Sequence, residues 1–315
     1  MSIAPLPQLS GQTYLTDSGL ETDLIFNHGI DLPSFASFPL LENADGRAKL
    51  VAYYREHWDI AESRGVGVVF DTPTWRASPF WGEQLGYDLP RLEQINRMAV
   101  GLLKEVREEV AAPDTAFVIS GNLGPRGDGY RPDHLMTVAE ATDYHAWQVR
   151  VLTSCAVDLV SAFTINYVDE AIGVANAAAD ASVHSVISFT VETDGHLPDG
   201  TTLADAIDRV DAESHGPPAY YMVNCAHPTH VLDVLAVEGS WQERLRGFRA
   251  NASRMSHAEL DDSEVLDIGD PAELGALFAD VRNAVPSITV LGGCCGTDSR
   301  HVAAIAEAAA HSRPG

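Results

Sequence analysis

The chain has 315 residues, of which 45% are hydrophobic and 21% are charged, a composition typical of a soluble globular enzyme. Its 20 basic and 45 acidic residues give a net charge of −25, which excludes the basic surface that nucleic acids and anionic membranes require. No apolar run approaches the roughly 20 residues of a membrane span, and no signal-like segment opens the chain. We therefore expect a cytoplasmic protein.

Apolar segments typical of buried parallel strands alternate along the chain with longer segments of helical periodicity. Strands are predicted at residues 12–17, 66–72, 115–121, 157–163, 185–191, 219–225, 246–251 and 287–293. Helices are predicted at residues 42–64, 91–112, 138–155, 168–180, 202–214, 228–237, 271–284 and 298–312. This alternation predicts a single (β/α)8 TIM barrel over residues 1–315. An open doubly wound sheet is the main alternative, because alternation alone does not close a sheet.

Three of the four cysteines stand at the ends of predicted strands. Cys225 closes the sixth strand, and Cys294 and Cys295 follow the eighth within a glycine-rich segment. In a barrel these strand ends face one mouth, where active sites are built. Three soft thiolate ligands with a fourth position open are typical of catalytic zinc, so we expect these cysteines to bind Zn²⁺. The fourth cysteine, Cys155, lies in a helical segment and is expected to pack in the core.

Other assignments of the same residues stay open. Under oxidation, Cys225 and Cys294 would form a disulfide. His227 and His230 follow Cys225 closely and are reserve metal ligands. Pro228 predicts a helix start, however, and His227 would then be the N-cap of that helix.

Further residues are expected at the same rim. Asp17, at the end of the first strand, would hold a substrate ammonium group by a charge-assisted hydrogen bond; its alternative role is to cap the following turn. Trp75 follows the second strand and would form a wall of the pocket, contact a cationic ligand through its ring face, or simply pack. Residues 121–129 lack a phosphate-binding pattern, and their glycines would let a loop pass close to a ligand.

Together these residues resemble the homocysteine S-methyltransferase family of zinc-dependent barrels. Residues 223–225 (VNC) and 292–297 (GGCCGT) are similar to the family's two zinc motifs. Residues 17–22 (DSGLET) are similar to its opening motif, with Ser18 in place of a glycine. The likeness covers about residues 12–312 and includes residues 72–78, 121–125 and 188–192.

The resemblance implies a Zn²⁺-dependent enzyme that moves a methyl group from a small sulfonium donor to homocysteine, giving methionine. Because the chain lacks extra length for a cobalamin or folate module, S-methylmethionine is the first choice of donor and S-adenosylmethionine the second. Betaine is less favoured. The partners are then a small thiol acceptor and the methyl donor, and a homo-oligomer stays open.

One position departs from the family pattern. The family's fourth strand ends in a Glu-Thr pair whose glutamate helps to hold the homocysteine amino group, whereas this chain has Phe163 before Thr164. Either Asp17 acts with another carboxylate, for which Glu192 after the fifth strand is the candidate, or the acceptor is a different thiol. The residues expected to bind substrate are Asp17, Glu21, Trp75, Phe163, Asn166 and Glu192.

Two other functions compete with methyl transfer. A non-catalytic zinc- or thiol-binding barrel would have a closed fourth ligand position, filled for example by His227. A zinc hydrolase would favour histidine or carboxylate ligands over three cysteines. The three thiolates favour methyl transfer to a thiol.

Overall fold

The strands form a closed parallel barrel. The computed structural model describes residues 4–110, 115–133, 135–263 and 265–311. The strands follow one another in sequence order around the barrel, and Tyr14 of the first strand pairs with both Gly67 of the second and Val290 of the last. This closure confirms the TIM barrel and excludes the open sheet. The strands are β1 Tyr14–Leu15, β2 Gly67–Asp71, β3 Phe117–Leu123, β4 Leu159–Ile165, β5 Ser185–Phe189, β6 Tyr220–Ala226, β7 Leu245–Ala250 and β8 Val290–Gly293.

Helices surround the barrel and lie close to the predicted positions. In chain order they are α1 Leu20–Thr22, α2 Ala44–Arg64, α3 Pro79–Gln84, α4 Leu89–Val110, α5 Val138–Ser154, α6 Val168–Asp180, α7 Leu203–Glu213, α8 Pro228–Leu235, α9 His257–Asp261, α10 Pro271–Ala284 and α11 Ser299–His311. The short helices α1, α3 and α9 were not predicted. The predicted helix ends at residues 112 and 312 lie outside the described residues.

Within the described part of the chain, no helix combines the length and apolar character that crossing a membrane requires. The cytoplasmic location stays a prediction.

Alternation along the strands determines which side chains reach the barrel mouth. Val69 on β2 and Met222 on β6 belong to the apolar cluster inside the barrel, while their sequence neighbours pack outward against the helices. Because side chains repeat with a period of two, the next inward positions are Asp71 and Asn224. On β7 the inward position near the mouth is Arg249, since both of its neighbours pack outward. Polar side chains therefore cover the apolar interior at this end.

Bulges in β4 and β6 bring additional side chains to the mouth. Thr164 and Cys225 have left-handed backbones, with φ of 61° and 54°, and each lies at a break in the pairing register of its strand. A bulge interrupts the alternation, so Phe163 and Thr164 both line the cavity, as do Asn224 and Cys225. A left-handed conformation costs a non-glycine residue about 1–3 kcal/mol and is concentrated at functional sites.

Candidate active site

A cavity of about 350 Å³ opens at the carboxyl-terminal end of the barrel. Its floor includes the inward residues Asp71, Asn224 and Arg249, and all three strand-end cysteines line it. Phe26 and Phe35 also line it and are 44% and 48% exposed. The site therefore has a polar, sulfur-rich floor beneath a partly apolar opening.

The three cysteine sulfurs form one cluster. The Sγ atoms of Cys225, Cys294 and Cys295 all lie within 4.8 Å of one another. Cys225 and Cys294 lie within disulfide-bonding reach of each other, with a Cα–Cα distance of 5.4 Å, and burial raises the pKa of the Cys295 thiol. The disulfide that the sequence analysis left open stays an alternative for this pair, and the three reduced sulfurs together form a candidate metal site. The turn that carries the vicinal pair depends on Gly296, whose φ is +79°.

Hydrogen-bond donors surround these sulfurs. Asn224 Nδ2 lies 3.2 Å from Cys225 Sγ and 3.9 Å from Cys294 Sγ, and the Tyr130 hydroxyl lies 3.8 Å from Cys295 Sγ. Donors of this kind stabilise anionic thiolates and orient them as ligands. Three soft donors that share an open side toward the cavity fit a catalytic zinc ion.

Two side chains hold the bulged backbone at Cys225. The Cys225 carbonyl oxygen accepts hydrogen bonds from His257 Nε2 at 2.7 Å and from Asn251 Nδ2 at 3.1 Å. The His257 ring packs on the Tyr130 ring with centroids 4.1 Å apart, and its Nδ1 lies 3.4 Å from a carboxylate oxygen of Glu192. These contacts stabilise the left-handed conformation that directs Cys225 into the cavity.

A buried charge cluster forms another part of the floor, next to Gly293 before the vicinal cysteines. Arg249 Nη2 lies 2.6 Å from Asp17 Oδ1, and Arg249 Nη1 lies 2.8 Å from Asp71 Oδ2. All three residues are less than 10% exposed. Burial raises the pKa of Asp71 to about 7; Arg249 opposes this increase, and Asp17 adds to it. Arg249 also lies over the Phe163 ring, with Cζ 5.0 Å from the ring centroid.

Comparison with known protein families supports the expected class. The family model for homocysteine S-methyltransferase matches residues 14–309. The chain belongs to the homocysteine S-methyltransferase family. The expected enzyme class is thereby confirmed, and the sulfur cluster lies at the barrel mouth of a methyltransferase.

Solved structures of one family member share this fold. The metallated form of the homocysteine methyltransferase MmuM from Escherichia coli is 20% identical with a TM-score of 0.71, and the match covers 94% of this chain and 96% of that chain. Its oxidized form is 19% identical with a TM-score of 0.71, covering 93% and 94%. Its apo form is 18% identical with a TM-score of 0.66, covering 94% and 96%. No curated protein sequence was found to match the chain.

Four of the six expected substrate residues line the methyltransferase cavity: Asp17, Glu21, Trp75 and Phe163. Asp17 does not cap the next helix, because the N-cap of α1 is Gly19 and no side chain caps it. Burial raises the pKa of Glu21, whose carboxylate accepts a hydrogen bond from Ser37 at 2.8 Å. Arg76 covers one face of the Trp75 ring, 3.8 Å from its centroid.

The other two expected residues, Asn166 and Glu192, do not line the cavity, and their role in substrate binding stays a prediction. Asn166 is buried beyond the end of β4 and donates its side-chain amide to the Asp128 carbonyl oxygen at 2.9 Å. Glu192 lies three residues past β5, so its carboxylate meets His257 from outside the cavity. The strand pattern of the sequence does not predict either position, because both residues lie beyond the strand ends, where the course of the loops decides the direction of a side chain.

The reserve ligands lie away from the sulfur cluster. His227 is the N-cap of α8, as its position before Pro228 indicated, and its ring accepts a hydrogen bond from the Thr229 N–H. Burial lowers the pKa of His227 to about 4. His230 Nε2 contacts the Arg254 carbonyl oxygen at 3.0 Å.

Cys155, expected in the core, is half-buried at the end of α5. It packs against the core and receives a hydrogen bond from Arg97 at 3.6 Å.

Sequence reasoning missed Asp71, Arg249, Tyr130 and His257 as lining residues. The first two could have been found by extending the inward alternation of β2 and β7 to the strand ends. Tyr130 lies in the segment after β3 and His257 in the segment after β7, and the strand pattern does not predict the course of these segments.

Proposed function

We propose that this protein is a zinc-dependent enzyme that transfers a methyl group from a sulfonium donor to the thiol of homocysteine, giving methionine. The observation that carries the proposal is the cluster of Cys225, Cys294 and Cys295 at the barrel mouth of a family methyltransferase. Three sulfur donors open on one side match the ligand set of a catalytic zinc site.

The reaction requires a reactive thiolate near neutral pH. A zinc ion held by the three reduced cysteines would lower the pKa of the acceptor thiol, which otherwise lies near about 8.5. Asn224 and Tyr130 donate toward the cysteine sulfurs and keep them oriented to the cavity. His257 and Asn251 stabilise the backbone that directs Cys225 inward.

The methyl-transfer step itself needs little chemical assistance from protein side chains. The acceptor sulfur attacks the methyl carbon in line with the donor sulfur, and a new S–C bond forms. The old S–C bond breaks, and its electron pair returns to the donor sulfur, which leaves as a neutral thioether. No general acid is needed, and the thiol proton is lost before the attack. The residues of the cavity therefore act by binding and orienting the substrates.

The cavity lining suits charged substrates of this kind. Asp17 is the expected partner of the acceptor ammonium group. Glu21 and Asp128 line the same cavity beside Tyr130, and carboxylates and ring faces both attract a sulfonium cation. S-methylmethionine remains the first choice of donor and S-adenosylmethionine the second.

The alternatives differ in their support. A non-catalytic zinc protein with His227 as fourth ligand is disfavoured, because that ring is engaged at the start of α8. A thiol acceptor without an amino group is favoured by one observation, the phenyl ring of Phe163 in the cavity lining.

The test is a methyl-transfer assay by mass spectrometry with reduced, zinc-loaded protein and a donor that carries a deuterated methyl group. Labelled methionine is expected from homocysteine and labelled S-methylmethionine. Cys294→Ser should abolish the product, whereas the matched control Cys155→Ser should retain it, because Cys155 lies far from the cavity. Absence of methylated thiol with every donor and acceptor tried, or full activity of Cys294→Ser, would contradict the proposal.

A further inference from the structure

The charge cluster on the cavity floor has more carboxylates than cationic groups to pair with them. Asp17 and Asp71 contribute two carboxylates and Arg249 one guanidinium, all at least nine-tenths buried. With both carboxylates ionised the cluster carries a net charge of −1. Buried charge without compensation is costly, so the floor favours a ligand that brings one positive charge.

The hydrogen bonds indicate where that charge would go. Among the described residues, no group donates a hydrogen bond to Asp71 Oδ1, although this atom is buried. Arg249 Nη2, which carries two N–H groups, donates to the Ser18 carbonyl oxygen at 3.0 Å and lies 2.6 Å from Asp17 Oδ1 in the ion pair. Arg249 Nε donates to the Gly293 carbonyl oxygen at 3.0 Å. The guanidinium is held in place, and Asp71 Oδ1 remains without a donor.

We propose that Asp71, held by Arg249, is the second carboxylate that binds the α-ammonium group of the acceptor, together with Asp17. This inference rests on the proposed function and names the residue that acts where Phe163 cannot. An ammonium group has three N–H donors, enough to serve Asp71 Oδ1 and the Asp17 carboxylate together. It also supplies the positive charge that the cluster lacks.

The other acidic residues fit this role less well. Glu192 does not line the cavity. Glu21 lines it but already accepts a hydrogen bond from Ser37. Phe163 offers only a ring face, which the Arg249 guanidinium covers at 5.0 Å. Asp71 combines a position in the cavity, an ion pair that orients it and a free oxygen. Its raised pKa is consistent with a site that takes up a proton when no other cation is bound.

The inference predicts that the acceptor carries a free amino group. The experiment compares homocysteine with 4-mercaptobutanoate, which has the same thiol and carboxylate but no amino group. Wild-type protein should prefer homocysteine in kcat/KM, and Asp71→Asn should lower this preference by about 10- to 100-fold, the effect of losing a hydrogen bond to a charged group. Phe163→Glu, added to Asp71→Asn, should restore part of the preference, because it places a carboxylate on the other side of Arg249.

The matched control is Asp211→Asn. Asp211 forms an ion pair of the same kind with Arg244, 2.7 Å from Nε, and neither residue lines the cavity. This variant should leave the preference unchanged. Calorimetric binding of both thiols to reduced, zinc-loaded protein provides a readout that does not depend on turnover.

The outcomes separate this inference from the proposed function. If no thiol is methylated but homocysteine binds more tightly than 4-mercaptobutanoate in an Asp71-dependent way, the function is wrong and the ammonium site stands. If the wild-type protein transfers methyl groups to both thiols equally well, the ammonium site is wrong even if Asp71→Asn fails to fold. An equal loss for both thiols in a folded Asp71→Asn protein also overturns it.

Discussion

Asn224 and Thr164 are joined by two hydrogen bonds across the barrel mouth. The Thr164 N–H donates to Asn224 Oδ1 at 2.9 Å, and Asn224 Nδ2 donates to Thr164 Oγ1 at 3.0 Å. Ser188 also donates to Asn224 Oδ1, at 2.7 Å. Because two donors contact Oδ1, the oxygen end of the Asn224 amide is fixed, and the Nδ2 end is held toward Cys225 Sγ. The bulges of β4 and β6 are thus tied together at the sulfur cluster.

We therefore expect Asn224→Ala to weaken zinc binding. Loss of the groups that orient metal ligands typically reduces metal affinity by about 10- to 100-fold. Competition with a chromophoric chelator would measure the change. The control is Asn176→Ala, which removes an amide that accepts from the His215 N–H and does not line the cavity. Equal zinc affinity in Asn224→Ala and wild type would show that the amide is not needed at the metal site.

The sulfur cluster predicts about one zinc per chain, with Zn–S distances near about 2.3 Å. Each of Cys225→Ser, Cys294→Ser and Cys295→Ser should lose most of the metal under reducing conditions, whereas Cys155→Ser should keep it. Metal analysis and X-ray absorption spectroscopy measure content and ligands. Full zinc retention in Cys294→Ser would contradict the ligand assignment.

Asp17→Asn should weaken acceptor binding far more than zinc binding. A hydrogen bond to a charged group contributes about 1.5–3 kcal/mol, and Asp17 lies on the cavity floor beside Arg249 rather than among the sulfurs. Homocysteine affinity and zinc affinity should be measured on the same protein. An unchanged acceptor affinity would mean that the Asp17 carboxylate serves only to balance Arg249.

Phe163→Glu tests whether the departure from the family pattern alters acceptor choice. In the wild-type background we expect little gain in kcat/KM for homocysteine, because Asp71 already supplies the second carboxylate. We also expect a lower melting temperature, since Phe163 packs in the cluster inside the barrel and is only 6% exposed. A large gain for homocysteine would instead mean that Phe163 selects a thiol without an amino group.

The raised pKa of Asp71 predicts a pH-dependent stability. Burial raises this pKa from 3.8 to about 7, so between these values the folded chain retains a proton that the unfolded chain releases. The contribution of this residue to stability is present in full below about pH 4 and is lost as the pH rises to about 7. Because Asp71→Asn cannot titrate, its stability relative to wild type should improve steadily as the pH rises across this window.

Urea unfolding of both proteins at several pH values would measure this difference. A stability difference between Asp71→Asn and wild type that stays constant from about pH 4 to about pH 7 would contradict the prediction.

Much of the fold could be predicted because its signals are local. Eight apolar runs and the helical segments between them predict alternating strands and helices, since hydrophobic periodicity reports directly on which face of each element is buried. Pairing of β1 with β8 then closes the barrel. The position of Cys225 and the vicinal pair Cys294-Cys295 at strand ends follows from the same pattern. The start of α8 could be recognised too, because His227 and Pro228 form a cap from adjacent residues.

Only the tertiary structure decided which charged residues pair on the cavity floor. Arg249 reaches from β7 to Asp17 after β1 and to Asp71 at the end of β2, and nothing local to any of these three segments specifies the others as partners. Likewise, the bulges at Thr164 and Cys225 shift which side chains face the cavity, whereas a strict two-residue period would direct them elsewhere. The sequence alone determined the alternation of strands and helices and the positions of the three cysteines at strand ends, because strand periodicity and residue chemistry are local. The partners of the acceptor depend on contacts between residues as many as 232 positions apart, which only the closed barrel brings together.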